Sequence, residues 1–199
     1  MVSEQAMENS DNLYLLLADI LDYPSPALLE QVKRCGALLG KIDRDVVSKM
    51  DTFRLFVETT PLTRLQEVYT STFDLQAICY PYAGYHLFGE SYRRGEFLAK
   101  LKARYSAVGF SSGSELPDHV PMLLRYLAQL QNDDNDDERE VIISECLLPA
   151  VTQMETRLRG GNPYLNVLQN LLTVMQTHSR QQMRKKERKE EQRRKEVDE

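Results

Sequence analysis

An all-α fold, a single-domain multi-helix bundle, is what this sequence predicts, on three observations. Apolar residues recur at three- and four-residue spacing from end to end, alternating apolar–polar runs are nearly absent, and no Asn-Gly or Asp-Gly hairpin turn occurs. At 199 residues, with 42% hydrophobic and 28% charged side chains, the chain can bury one real core but hardly two.

The elements follow in order. Ser10 or Asp11 can cap a first helix through Leu13, Leu16, Leu17, Ile20 and Leu21, stopping near Pro24. Ser25-Pro26 reads as an N-cap with proline at the first helical position, opening a helix with Leu28, Leu29, Val32, Cys35, Leu38 and Leu39 before Gly40. Asp43 or Asp45 to Thr60 carries Met50, Phe53, Phe56 and Val57. Pro61 ends that segment and opens a fourth with Leu62, Leu65, Val68, Tyr69 and Phe73. Ser91 to Val108 is amphipathic, with Phe97, Leu98, Leu101 and Tyr105 on one face and Gly109 as a stop. Val120, Leu123, Leu124, Leu127 and Leu130 mark the next helix. Arg139 to Arg159 is helical with a kink expected at Pro149, and Asn162-Pro163 starts the last helix through Met175.

Charge divides the chain. Residues 180–199 hold nine basic and six acidic residues, which leaves the helical domain, 1–179, at a net −8. An acidic body repels polyphosphate, so nucleic acid is an improbable partner and a basic peptide a better one. The tail is low in complexity and reads as a helical extension or a disordered solubilising segment. The acidic run at 132–138 reads as a solvated linker. Cys35, Cys79 and Cys146 form no CxxC and no disulfide framework, which fits a reducing compartment. The first residues are acidic where a signal peptide would be basic, and Leu13–Leu21 is short and interrupted by Asp19. A cytoplasmic protein with no membrane insertion is expected.

Two stretches exceed what helix packing needs. From Tyr69 to Gly95 the chain gathers Phe73, Tyr82, Tyr85, Phe88 and three glycines, a composition suited either to peptide recognition or to a crowded helix crossing. Glu115-Leu116-Pro117-Asp118-His119-Val120-Pro121 has its own local logic. Asp118 is a natural N-cap, with His119 at the first helical position and Pro121 at the third, where its missing N–H costs nothing. Positive potential at the helix end favours a neutral His119. A hydrolase would need a nucleophile with an adjacent base, and a nucleotide-hydrolysing enzyme a glycine-rich phosphate loop; neither GxSxG, the Walker pattern nor GxGxxG occurs. Cys79, His86 and His119 match no metal-ligand spacing.

With both stretches in view, the chain resembles the respiratory nitrate reductase assembly chaperones of the NarJ type, within the TorD-like group. The resemblance rests on Tyr69-x-x-Thr72-Phe73-Asp74, Phe88-Gly89-Glu90-Ser91-x-x-Arg94-Gly95, Tyr105-x-x-x-Gly109-Phe110 and Glu115-Leu116-Pro117-Asp118-His119-x-Pro121, across about Leu13 to Leu172. It implies a TorD/NarJ-like helical fold and a binding function without turnover. The implied client is the apo catalytic subunit of a molybdoenzyme, most simply the nitrate reductase alpha subunit. Its N-terminal leader is held until the molybdenum cofactor is inserted and the other subunits join. The cofactor, molybdopterin guanine dinucleotide, then belongs to the client, and cofactor-insertion proteins are further implied partners. By position Asp118 and His119 become the expected client contacts, with Glu115, Tyr69, Phe73, Tyr82, Tyr85 and Phe88 around them. Chaperones of perchlorate, selenate or hydrocarbon-oxidising enzymes, and a helical adaptor docking through the charged tail, are the alternatives.

Overall fold

The computed structural model describes residues 12–40, 44–130, 135–158 and 161–197. The caps expected at Ser10, Asp11 and Asp43 lie outside these residues, as does most of the acidic run before Asn135.

Among the described residues every regular element is helical. Helix α1 (Leu13–Ile20) is capped by Asn12, whose side chain accepts from the Tyr14 and Leu15 amides. Its face Leu16, Leu17 and Ile20 is buried against α2 (Leu28–Leu39) and α7 (Val120–Gln129). Helix α2 begins two residues later than the Ser25-Pro26 signal suggests, because Ser25 spends its hydroxyl and carbonyl on the turn formed with the Ala27 and Leu28 amides. It lies on α3 (Arg44–Thr59), which presents Met50, Phe53 and Val57 to the first half of α10 (Tyr164–Val197). That half is the spine of the core: Val167, Leu168, Leu171 and Met175 are fully enclosed. Burial of each such side chain contributes about 1.5–3 kcal/mol against the ordering entropy of the chain. No helix among the described residues is long and apolar enough to cross a membrane.

Between α4 (Leu62–Phe73) and α6 (Tyr92–Ala107) sits the short α5 (Ala83–Phe88), which the periodicity does not announce. Near Pro149 the distortion falls one turn earlier than expected. Residues Ile142–Leu147 form a π-helical turn between α8 (Asp136–Val141) and α9 (Leu148–Arg157), with the Leu148 amide bonded to the Ile143 carbonyl. Proline has no N–H for the carbonyl four residues back, so the wider turn absorbs the mismatch without ending the helix.

From Asp136 onward the acidic run is helical and ion-paired, with the Asp137 side chain still 87% exposed. Asp136 bonds Lys185 at 3.0 Å and Arg139 at 3.2 Å, Asp137 bonds Lys186 at 2.7 Å, and Glu138 takes both Arg104 and the Tyr126 hydroxyl. Arg139 is on α8 itself, but the other cations come from α6 and from the second half of α10, so charge density that reads as solvation in one dimension is neutralised in three. These contacts hold α10 along α8 as far as Lys186, and α10 stays helical to Val197.

Candidate functional site

The loop after α6 is built to deliver Glu115–His119 to one place. Gly109 and Gly113 take φ of 68° and 61°, left-handed conformations that cost glycine little. The Tyr105 hydroxyl, buried in α6, donates to the Pro117 carbonyl at 2.7 Å and anchors the loop's far end. The backbone then pairs in an isolated antiparallel bridge, Tyr82 with His119. The Ala83 N–H donates to the Asp118 carbonyl and the Val120 N–H to the Pro81 carbonyl, each at 2.8 Å.

This pairing overturns the expected cap. His119, not Asp118, occupies the N-cap position of α7, and Pro121 stands within the first two helical positions. One first-turn amide is already satisfied by Pro81 and another is absent in Pro121, so the helix has little need of a carboxylate. Asp118 turns instead into the gap between α5 and α6. It is wholly buried, and its Oδ2 accepts from Arg94 Nε at 3.1 Å and Nη2 at 3.0 Å. Burial pushes the Asp118 carboxyl above the usual carboxylate range, and Arg94 pulls it back.

Tyr82, half-buried, ties the loop residues together. Its ring lies 5.3 Å from His119 and under the Arg94 guanidinium at 5.6 Å, while its hydroxyl donates to Glu115 at 3.3 Å. Desolvation, reinforced by Glu115, pushes that hydroxyl up to about 12. His119 is held below its ordinary value by burial, which outweighs Glu115 and Asp22, so it is neutral at pH 7. The other flank of α5 carries Tyr85, stacked against Tyr80 and Arg157, and Phe88, packed on Phe97 and Arg93.

His119 itself is buried, 6% exposed, and Tyr82 and Glu115 are half-buried; Tyr69 and Phe73 lie apart from this set. Both are buried, in an aromatic cluster with Tyr164 and Phe53 beneath the site. Sequence reasoning placed Arg94 only within a family motif, and Gly84 only among three glycines that let helices approach closely or turn. A β-carbon on Gly84 would lie 2.7 Å from Asp118 Oδ2 and 3.0 Å from Phe97, so only glycine lets α5 approach the ion pair. Gly84→Ala is therefore expected to lower stability by about 1–3 kcal/mol in urea melts. Gly95→Ala, on α6 with open space around it, should raise stability by about 0.5–1 kcal/mol. Equal effects at the two sites would refute the close-approach argument.

Among the described residues no three His, Cys, Asp or Glu side chains converge to hold a metal ion; Cys79 and His86 meet at 3.8 Å without a third partner of that kind. The arrangement sets a half-buried aromatic ring, a neutral imidazole and the Glu115 carboxylate together on a braced loop.

An all-helical bundle with a braced acid–histidine loop defines the class, and the family follows from its sequence. The chain matches the model of the nitrate reductase delta subunit family over residues 40–160 and belongs to that family. The matched stretch contains Tyr82, Gly84, Arg94, Glu115, Asp118 and His119. It is 29% identical over 151 residues to the nitrate reductase molybdenum cofactor assembly chaperone NarJ of Escherichia coli K12, and equally to that of Escherichia coli O157:H7. The alignment covers 72% of this chain but 63% of those relatives, short of two thirds of their length. A solved structure from Archaeoglobus fulgidus, assigned to redox enzyme maturation, shares the fold: TM-score 0.53 and 21% identity, over 84% of this chain and 93% of that one.

Proposed function

We propose that this protein is a cytoplasmic assembly chaperone for a molybdoenzyme, holding the N-terminal leader of the apo catalytic subunit for cofactor insertion and subunit assembly. Nitrate reductase is the first choice of client, given what the curated relatives are named for. The observation that carries the reading is the Tyr82–Glu115–His119 cluster, braced from below by a buried ion pair and set in an acidic body. Neutral His119 can donate and accept, Glu115 can meet a cation, and the Tyr82 ring offers an apolar face. Asp118 acts through position: with no exposed surface, it holds the loop that carries half-buried Glu115 and buried His119 against Tyr82. Tyr85 and Phe88 extend the contact along α5. The protein binds and releases without turnover, so affinity is moderate, with Kd on the order of 0.1–10 μM.

The test is calorimetric titration with a synthetic leader of the nitrate reductase catalytic subunit. Tyr82→Ala and His119→Ala are each expected to weaken binding about tenfold, some 1.4 kcal/mol, with helicity intact. A leader that fails to bind the parent, or binds both variants as well as the parent, rules the reading out.

A further inference from the structure

Helix α5 carries a second set of contacts that the leader site does not use. Tyr85 and Phe88 stand three residues apart on it, and each half-buried ring has an exposed arginine over it. Arg157, the last residue of α9, lies 5.9 Å from the Tyr85 centroid, and Arg93 of α6 lies 5.2 Å from that of Phe88. Both α6 and α9 pack on α5, so two separate helices bring their guanidiniums to one short element. Arg94, Arg104, Arg125 and Arg139 are each paired with an acid. Among the described residues, neither Arg93 nor Arg157 is bonded to a carboxylate. Arg93 also stands in the first turn of α6, where the helix dipole disfavours a cation, so its place serves no need of that helix. Stacking fixes each guanidinium by its flat face and leaves its N–H edge to meet something else.

The surroundings say what that is. Helices α5, α6 and α9 together hold Arg93, Arg94, Lys100, Lys102, Arg104 and Arg157 against only Glu96 and Glu155, in a helical domain that is net −8. Lys100 lies two turns from Arg93 on the same side of α6, about 10 Å along its axis. Tyr92, 84% exposed, adjoins Arg93, and exposed Tyr80 stands edge-on to Tyr85 at 5.2 Å. Tyrosine and arginine side by side are the residues that anchor protein interfaces. A nucleotide or a single strand of nucleic acid fits poorly, because the rings of Tyr85 and Phe88 are half-buried and already covered by the protein's own guanidiniums. The cavities beside Tyr23 and beside Val32 are lined by other residues. What remains on offer is a set of guanidinium edges, which carboxylates match two bonds at a time.

We propose that Arg93, Lys100 and Arg157 form a docking face for an acidic segment of a partner protein, whose carboxylates pair with the stacked guanidiniums while an apolar side chain rests on Tyr92. Tyr82, which touches the His119 loop, is one turn from Tyr85, so this face borders the leader site with the opposite charge. A segment rich in acid is what a basic leader is not, and the two readings stand independently. The basic tail is a poorer place for the same segment. Residues 180–199 interleave their cations with six acidic residues and contain no aromatic ring to hold a guanidinium in place. Arginines already fixed by stacking lose little freedom on binding.

The experiment titrates the full chain with a labelled peptide of about 15 residues that carries glutamates and two leucines, and with a counterpart in which lysines replace the glutamates. The glutamate peptide is expected to bind at least about tenfold more tightly than the lysine peptide, with affinity falling as salt rises. Arg93→Ala and Arg157→Ala should each weaken it about fivefold, and the double variant more than about tenfold. Arg157→Lys, which keeps the charge but loses the planar fork, should recover little of the loss. Arg184→Ala, an exposed change on α10, should leave binding unaltered. Equal binding of the two peptides, indifference to Arg93→Ala and Arg157→Ala, or an equal loss in Arg184→Ala would overturn the proposal. So would ATP or oligothymidylate that displaces the peptide and is itself lost in the same variants. The nitrate reductase leader, titrated in parallel, should hold its affinity within about twofold in Arg157→Ala. Parallel loss of leader and acidic peptide would place the arginines in the leader site and remove a separate face. A leader that does not bind, where the acidic peptide does, removes the chaperone reading and spares this face.

Discussion

Arg94→Ala is expected to destabilise the fold by about 3–5 kcal/mol, because it strands a buried carboxylate. Asp118 has no exposed surface, and its Oδ2 is held by the guanidinium of Arg94, whose side chain is only 20% exposed. Asp118→Asn in the Arg94→Ala background should recover part of the loss, since a neutral amide tolerates burial far better than a lone charge. The sign of the pH dependence is fixed by the same geometry. Burial already raises the Asp118 carboxyl, and removing the opposing arginine raises it further. A carboxyl whose folded value exceeds its unfolded value of about 4 penalises the fold when ionised. That penalty fades as pH falls through the folded value. The deficit of Arg94→Ala relative to the parent should therefore shrink between neutral pH and about pH 4 in urea titrations. A deficit below about 1 kcal/mol, or one that does not change with pH, would show that the pair does not brace the loop. Leader affinity should fall in the same variant, although Arg94 and Asp118 need not touch the leader, because the loop they hold carries Glu115 and His119.

The helices were legible in the residues because each announces its buried face by spacing: Leu16, Leu17 and Ile20, or Leu123, Leu124 and Leu127, need no partner to be recognised. The all-α reading holds for that reason, and the family resemblance holds on its motifs. Spacing does not say which face meets which, and the misreadings share that cause. Asp118 stands where a cap should stand, but an arginine 24 residues away claims it. Asp136 and Asp137 look like linker until Lys185 and Lys186, 49 residues on, neutralise them. Tyr69 and Phe73 stand in the same aromatic-rich stretch as Tyr82, and local sequence cannot sort core rings from surface rings. Helix α5 escaped notice because its six residues include a glycine whose value lies in what it leaves out, room for the Asp118 carboxylate.

Phe73→Ala should cost about 3–5 kcal/mol and lower the melting temperature by roughly 10 °C, while leaving leader affinity of the folded protein unchanged. The Phe73 ring is 3% exposed and packs 5.2 Å from Tyr69 and 5.0 Å from Tyr164, whose own ring lies 5.2 Å from Phe53. These rings join α4 to α3 and α10, so truncating one leaves a cavity among three helices that cannot easily close. The opposite pattern is expected at His119, where alanine should weaken binding with a smaller loss of stability. Calorimetric melting and leader titration on both variants separate the two roles. A Phe73→Ala protein that melts near the parent temperature but loses the leader would place that ring in the binding face. The core would then need another keystone, and Tyr164, at 1% exposure, is the ring best placed to be it.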